Sequence, residues 1–387
     1  PIGIIAYIVA WVTLTIPTHK ATKRIDVLGV VFLSIATTCL IFFTDFGGSA
    51  DHGWGAMETW AWGIGLVLAA IIFVWVEARA EDPIIPLSLF RNAVFLNTTA
   101  IGFTLGLGMF AAIAFVPTFL QMASGTSAAV SGLLMIPMMV GMLGTSITSG
   151  ILVSKSGRYR IFPMVGTLIT AGAMLAMTTL AATTPIWLIC VYLFFFGAGL
   201  GLIMQIIVLV VQNAVPATEV GTATSTNNYF REVGASLGVA IFGVMFTTRL
   251  SENLLRVFTD AGADPTAAGQ ATSTLDPATL ATLPPDVRDG IVSAYADSLA
   301  PVFWYLIPFM LVAFVLTLFL KEIPLSHESG MVARGEAIDG EAAVEAERAL
   351  LEAKRTGGRP GIRTGGIDVI EAPRDGHVGE ADGPDSR

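Results

Sequence analysis

Histidine and cysteine are scarce, with four of one and two of the other in 387 residues. His19, His52, His327 and His377 fall in loops or in the C-terminal tail, while Cys39 and Cys190 sit within apolar stretches. So scattered a set frames neither a structural disulfide nor a zinc site, and the two cysteines read as packing residues. No HExxH, Walker loop or Ser/His/Asp set occurs, so an enzyme would have no nucleophile or metal to work with, and no bound cofactor is expected. Charge is thin as well: 13% of residues are charged, against about 25% in soluble domains. The net charge is −9, whereas a nucleic-acid partner calls for a basic face. Five of those nine negatives come from the tail, where 14 acidic and 9 basic residues follow from Lys321 onward. A secretory leader would open with a basic segment and close on small residues. Pro1–Ile16 is apolar from its first residue, and we expect the chain to begin inside a longer gene product.

What the sequence has is apolar length. Hydrophobic residues make up 54% of it, and runs of eighteen or more residues recur, each able to cross a hydrocarbon core about 30 Å thick. Nine segments stand out, near 1–16, 28–46, 58–77, 96–120, 129–153, 161–182, 185–211, 223–248 and 301–320. The alternating ten-residue segments of a membrane barrel are missing. The reading is an all-α polytopic membrane protein in a lipid bilayer. Basic residues in short loops set the orientation. Lys20, Lys23 and Arg24, then Arg79 and Arg91, then Lys155, Arg158 and Arg160 alternate with loops that carry none. The basic loops are therefore expected on the cytoplasmic side of the cell membrane, with the tail, 321–387, beside them and the long 249–300 loop outside, where the helix-capable patch PDVRDGIVSAYADSLA is expected to form a short surface helix ahead of the last span. The tail is expected to be mostly disordered beyond one amphipathic helix near 341–355.

Polar residues inside apolar spans are expensive and so are the default functional candidates. The densest group is STNNYFREVGASLG, 225–238, with Asn227, Asn228, Arg231 and Glu232. Arg231 and Glu232 are adjacent, so they point about 100° apart on a helix, and each is expected to need a polar partner on another helix, in a cavity or at the headgroups. The pair reads either as a cavity-lining gating pair or as an interhelical clamp. Gln121, Gln205, Gln212 and Asn213 are amides in or at the ends of spans, and either contact a solute or hydrogen-bond across helices. Gly102, Gly106, Gly108, Gly197, Gly199, Gly201, Gly234 and Gly238 read as close helix packing.

The loop GILVSKSGRYR, 150–160, interrupts two apolar runs with three cations. It is similar to the pattern Gly-x-Leu-x-Asp-Arg-x-Gly-Arg-Arg that joins two helices in each half of major facilitator transporters. Gly150, Leu152, Lys155, Gly157 and Arg158 match; Ser154 replaces the Asp and Tyr159 a basic residue. PIG, RIDVLG, DPIIPLSLFRN, FVPTFLQ, SGLLMIPMMVGM, GLGLIMQ, VQNAVP and FREVGASLGVAIFG follow in order. Over residues 1–320 the chain resembles the drug:proton antiporter group with fourteen spans (the EmrB/QacA type).

The resemblance implies a major facilitator fold of about nine spans here. Residues 1–27 would be the last helix of the first half with its loop, 28–95 two extra linker helices, and 96–320 a complete six-helix second half. The first five helices, with the other copy of the loop, would be a missing partner. It also implies proton-driven efflux of small amphipathic or cationic compounds by alternating access, with the proton gradient as the only co-reactant. The Gly150–Arg160 loop would then act as a conformational latch against a helix end of the other half, and Arg231, Glu232, Asn227, Asn228, Gln205 and Gln121 would serve cavity and coupling. No membrane-embedded Asp stands out for proton exchange: Glu232 is the nearest carboxylate, and Glu77 sits at a span end. An exporter of one metabolite, peptide or lipid, and a non-transporting membrane sensor or scaffold, stay open.

Overall fold

In a computed structural model, residues 2–13, 26–48, 53–123, 128–216, 218–260 and 285–322 are described. They lie within one unit spanning Pro1–Leu325; the expected 341–355 helix and the rest of the tail lie outside the described residues. The described elements are helical throughout: α1 (Ile2–Thr13), α2 (Val27–Gly48), α3 (Met57–Glu77), a 3-10 turn (Leu87–Arg91), α4 (Ala93–Ala123), α5 (Ala128–Leu134), α6 (Ile136–Ser156), α7 (Ile161–Met177), α8 (Ile186–Asn213), α9 (Val220–Asp260) and α10 (Pro285–Leu318). Among the described residues seven helical stretches are long and apolar enough to cross a membrane, with α5 and α6 counted as one; α7 is a shorter apolar helix.

The helix boundaries follow from local chemistry. The expected span 129–153 is broken at Met135 because Pro137 has no N–H to give the preceding turn, and a new helix starts at Ile136. Asn92 opens α4: its Oδ1 accepts from the Val94 N–H at 3.0 Å, a capping role Asn fills well. Gly157 closes α6 with φ of 69°, a left-handed conformation that glycine adopts without a Cβ penalty. Within the 249–300 stretch expected outside the membrane, α9 runs on to Asp260, and the helix-capable patch from Pro285 opens α10. At 41 residues, α9 is about 60 Å long, twice a hydrocarbon core. Its end is held to α10 by apolar contact, with Leu250, Leu254, Ile291 and Leu299 almost fully buried, and by Asn253 Nδ2 donating to Ser298 Oγ at 2.9 Å.

Packing places α8 between α6 and α7. Next, α7 meets α10, α10 meets α4 and α9, α9 meets α2, and α2 pairs with α3. One face of α8 (Leu193, Phe196, Leu200, Ile203, Ile207, Val211) is essentially solvent-free, at the spacing that lines one side of a helix. The outer faces are the reverse: Leu143, Ile147, Trp187, Trp75 and Phe319 are each more than half exposed. An apolar surface that continuous belongs against lipid.

Close approach of backbones sets the two tightest seams. A Cβ on Gly234 or Gly238 would lie 2.2 Å from the Phe103 or Leu107 carbonyl oxygen of α4. One on Gly197 or Gly201 would lie 2.0 or 2.1 Å from the Met138 or Met142 oxygen of α6. No side chain fits there. On α7, which packs against the other side of α8, the buried hydroxyls of Thr167 and Thr170 donate back to carbonyls of their own helix at 2.9 Å, so neither is left bare in an apolar setting.

Candidate functional site

The parallel helices α2 and α9 meet at Thr37 and Tyr229, whose hydroxyls lie 3.1 Å apart, and again where Gly48 approaches Val244. Between these contacts α2, α4 and α9 line an open recess of about 790 Å³. Its walls are apolar, with Ile41, Phe110, Phe115, Val239 and Val244, and they carry two carboxylates, Asp45 and Glu232. Solute sites typically span about 300–1,000 Å³ with a few placed polar groups. Asp45, which the sequence reading passed over, is exposed and lies three residues from the end of α2. Its stretch, FFTDFGG, contains no breaker before the two glycines, so α2 continues through it to Gly48.

Arg231 and Glu232 do not each find a partner elsewhere. They bond to one another, Nη2 to Oε1, at 3.1 Å, with side chains 17% and 57% exposed. Two long side chains span the helical angle between neighbours, which a count of degrees along the helix axis overlooks. The pair is too exposed to add much stability, since exposed ion pairs are worth about 0–1 kcal/mol. What the pairing does is hold a carboxylate at the recess. Arg231 Nε is buried without a hydrogen-bond partner, so the guanidinium is held by one edge only.

The amides separate. Asn227 is buried and donates to Thr99 Oγ1 at 3.4 Å, across the α4–α9 seam beside Gly102. Asn228 is half-buried on the next position, and Gln121 is half-buried near the end of α4. Gln205 is exposed on α8, between the fully buried Ile203 and Ile206. None of the four lines the recess with Glu232. Among these candidates the fold brings only Glu232 to it, and adds Asp45 and Ser236.

The loop expected at Gly150–Arg160 is shorter than that, because α6 runs to Ser156 and carries Gly150, Leu152, Ser154 and Lys155 on its last turns; Leu152, Ser154, Lys155, Gly157 and Arg158 are exposed, and Gly150 is half-buried. Arg160 Nη2 donates to the Leu318 carbonyl at the end of α10. Tyr159 is fully buried with Val94, Val153, Ile206, Val210 and Leu320, and its hydroxyl donates to the Lys321 carbonyl at 2.7 Å. The loop thus grips a helix end of its own bundle. A cation and a hydroxyl at the C-terminus of α10 meet carbonyls that have no partner within the helix. The replacement of a basic residue by Tyr159 was the sequence signal for this contact. Tyr159→Phe removes one hydrogen bond and is expected to lower stability by about 0.5–1.5 kcal/mol, measured as a fall in melting temperature in detergent with unchanged helix content.

An all-helical bundle, lipid-facing on its outside and carrying carboxylates in a solute-sized recess, defines a polytopic membrane protein of the transporter type. The chain belongs to the Major Facilitator Superfamily, whose family model matches residues 2–239. An uncharacterized MFS-type transporter of Mycobacterium tuberculosis is 39% identical over 326 residues, covering 84% of this chain and 46% of that protein. The multidrug transporter protein MdtP of Bacillus subtilis is 33% identical over 355 residues, covering 85% of this chain and 64% of its own length. A tetracycline resistance determinant of Streptomyces rimosus is 34% identical over 235 residues, 58% of this chain and 65% of that protein. The chain spans about half to two thirds of the length of these relatives.

Proposed function

We propose that this chain supplies the linker helices and second half of a fourteen-span exporter that moves small amphipathic or cationic compounds out of the cell in exchange for protons. The recess between α2, α4 and α9, mostly apolar but with the carboxylates of Asp45 and Glu232 and the hydroxyls of Thr44, Ser236 and Thr247 on its walls, carries the reading. Apolar walls favour varied hydrophobic bodies, and two carboxylates favour a cation or a proton over an anion. Relatives named for multidrug transport and tetracycline resistance support the same class of solute. The missing first half would close the site from the opposite side, and the two bundles would rock around it. On this reading the basic loops and the tail lie in the cytoplasm, and the proton gradient is the only driving force.

Efflux of a panel of cationic and neutral dyes from cells expressing the transporter, with and without a proton uncoupler, tests the proposal. Dye export that stops on uncoupling is the expected result. Export of no dye in the panel overturns the multidrug reading in favour of a single-solute exporter, and export that continues after uncoupling overturns proton coupling.

A further inference from the structure

A second pair of carboxyl groups lies away from the recess, where α2 begins and α3 ends. Asp26 precedes α2, and its Oδ1 accepts from the Gly29 N–H at 2.9 Å, an N-terminal cap. Glu77 ends α3 and is 3% exposed; its Oε1 accepts from the Ile85 N–H in the following loop. One oxygen of each group is thereby used. The other two, Asp26 Oδ2 and Glu77 Oε2, are both buried and without a hydrogen-bond partner. They converge on one point: a Cβ built on Gly29 would lie 2.4 Å from Asp26 Oδ2 and 3.0 Å from Glu77 Oε2.

Two ionised carboxylates cannot share a dry site without something positive between them, because like charges and burial act in the same direction. Of the described charged groups on the elements meeting there, Asp26 is the one that acts on the Glu77 carboxyl. Arg79, two residues on, stacks over the Trp75 ring at 4.1 Å instead, and Glu81 and Asp82 in the same turn are acidic. On the far side, α9 presents the neutral Tyr229 to α2 at Thr37. Lys23 and Arg24 lie outside the described residues.

We infer that Asp26 and Glu77 hold a single proton between Oδ2 and Oε2, making the junction of the α2–α3 hairpin a proton-binding site separate from the Asp45–Glu232 recess. The proton supplies the hydrogen that neither oxygen receives from the other described residues. It ties the start of α2 to the end of α3, and through Ile85 to the loop that leads into the 3-10 turn and α4. Loss of the proton would loosen the hairpin at the end that leads through Ile85 towards α4, while the α2–α9 contacts at Thr37 and Gly48 lie further along α2.

Infrared difference spectra of the protein in proteoliposomes, recorded across a pH titration, test the inference together with Glu77→Gln and Asp26→Asn. Each amide can donate an N–H where the shared hydrogen would sit, so both variants are expected to fold and to match the wild-type melting temperature at neutral pH. The wild type is expected to show a protonated-carboxyl band that disappears as the pH rises, with melting temperature falling alongside it. Both variants are expected to lack that band and that fall. A wild type with no such band, a band that persists in both variants, or a variant that does not fold each overturns the shared proton. A wild-type melting temperature that instead follows sodium, potassium or calcium concentration assigns the site to a metal cation and overturns it too.

Discussion

Gly238→Leu is expected to prevent accumulation of folded protein, whereas Gly172→Ala leaves yield and melting temperature unchanged or slightly raised. At Gly238 an added Cβ falls 2.2 Å from the Leu107 carbonyl oxygen, with the Leu107 carbonyl carbon and Cα both at 2.9 Å. All three obstacles are backbone, so no side chain can swing aside and α9 itself must move from α4. Overpacking costs about 1–3 kcal/mol when side chains can yield, and more when they cannot. The same shift would part Asn227 from Thr99 and carry Arg231 and Glu232 out of register with the recess. Gly172 lies on the exposed face of α7 with nothing within 4 Å of its would-be Cβ, and alanine there raises helix propensity by about 1 kcal/mol. Fluorescence-detected size-exclusion chromatography after a temperature ramp separates the outcomes. A Gly238→Leu protein as stable as wild type would show that the α4–α9 seam is wider than the structure has it.

If the proposed proton exchange holds, Glu232→Gln in the full-length transporter is expected to reduce uphill dye transport in inverted vesicles to the level seen with an uncoupler, with little change in thermal stability. The amide keeps the shape of the carboxylate and can still accept from Arg231, but it carries no proton across a cycle. The small stability effect follows from the exposure of the pair, 17% and 57%, where ion pairs add about 0–1 kcal/mol. Arg231→Gln combined with Glu232→Gln controls for the cation left without its counterion, and should transport no better than Glu232→Gln alone. Asp45→Asn, at the other wall of the recess, should weaken export of cationic dyes more than that of neutral ones. Wild-type efflux from Glu232→Gln would reduce the Arg231–Glu232 pair to a structural contact.

The membrane-spanning character was legible in the sequence because a bilayer imposes a length requirement that each segment meets alone. Runs such as 28–46 and 185–211 needed no partner to be recognised. Where a boundary depends on a neighbour, residue types say less. The patch PDVRDGIVSAYADSLA reads as helix-capable and is helical, joined without a break to the last span in α10, whereas the run of α9 on to Asp260 goes with the burial of Leu250 and Leu254 beside Ile291 and Leu299. Arg231 and Glu232 drew notice as charges in an apolar run, but their pairing with one another is a matter of side-chain reach that residue types do not encode.

The sequence by itself determined which segments are helical and apolar, where the basic loops fall and where small residues cluster, since each of these is a local free-energy preference. The tertiary structure decided which groups meet. Thr37 finds Tyr229 from 192 positions away, Arg160 finds Leu318 from 158 away, Asp45 joins Glu232 at one recess, and Asp26 turns its free oxygen towards that of Glu77. Such meetings depend on how glycine seams set the distance between helices, and that distance is a property of packed pairs that no single segment holds.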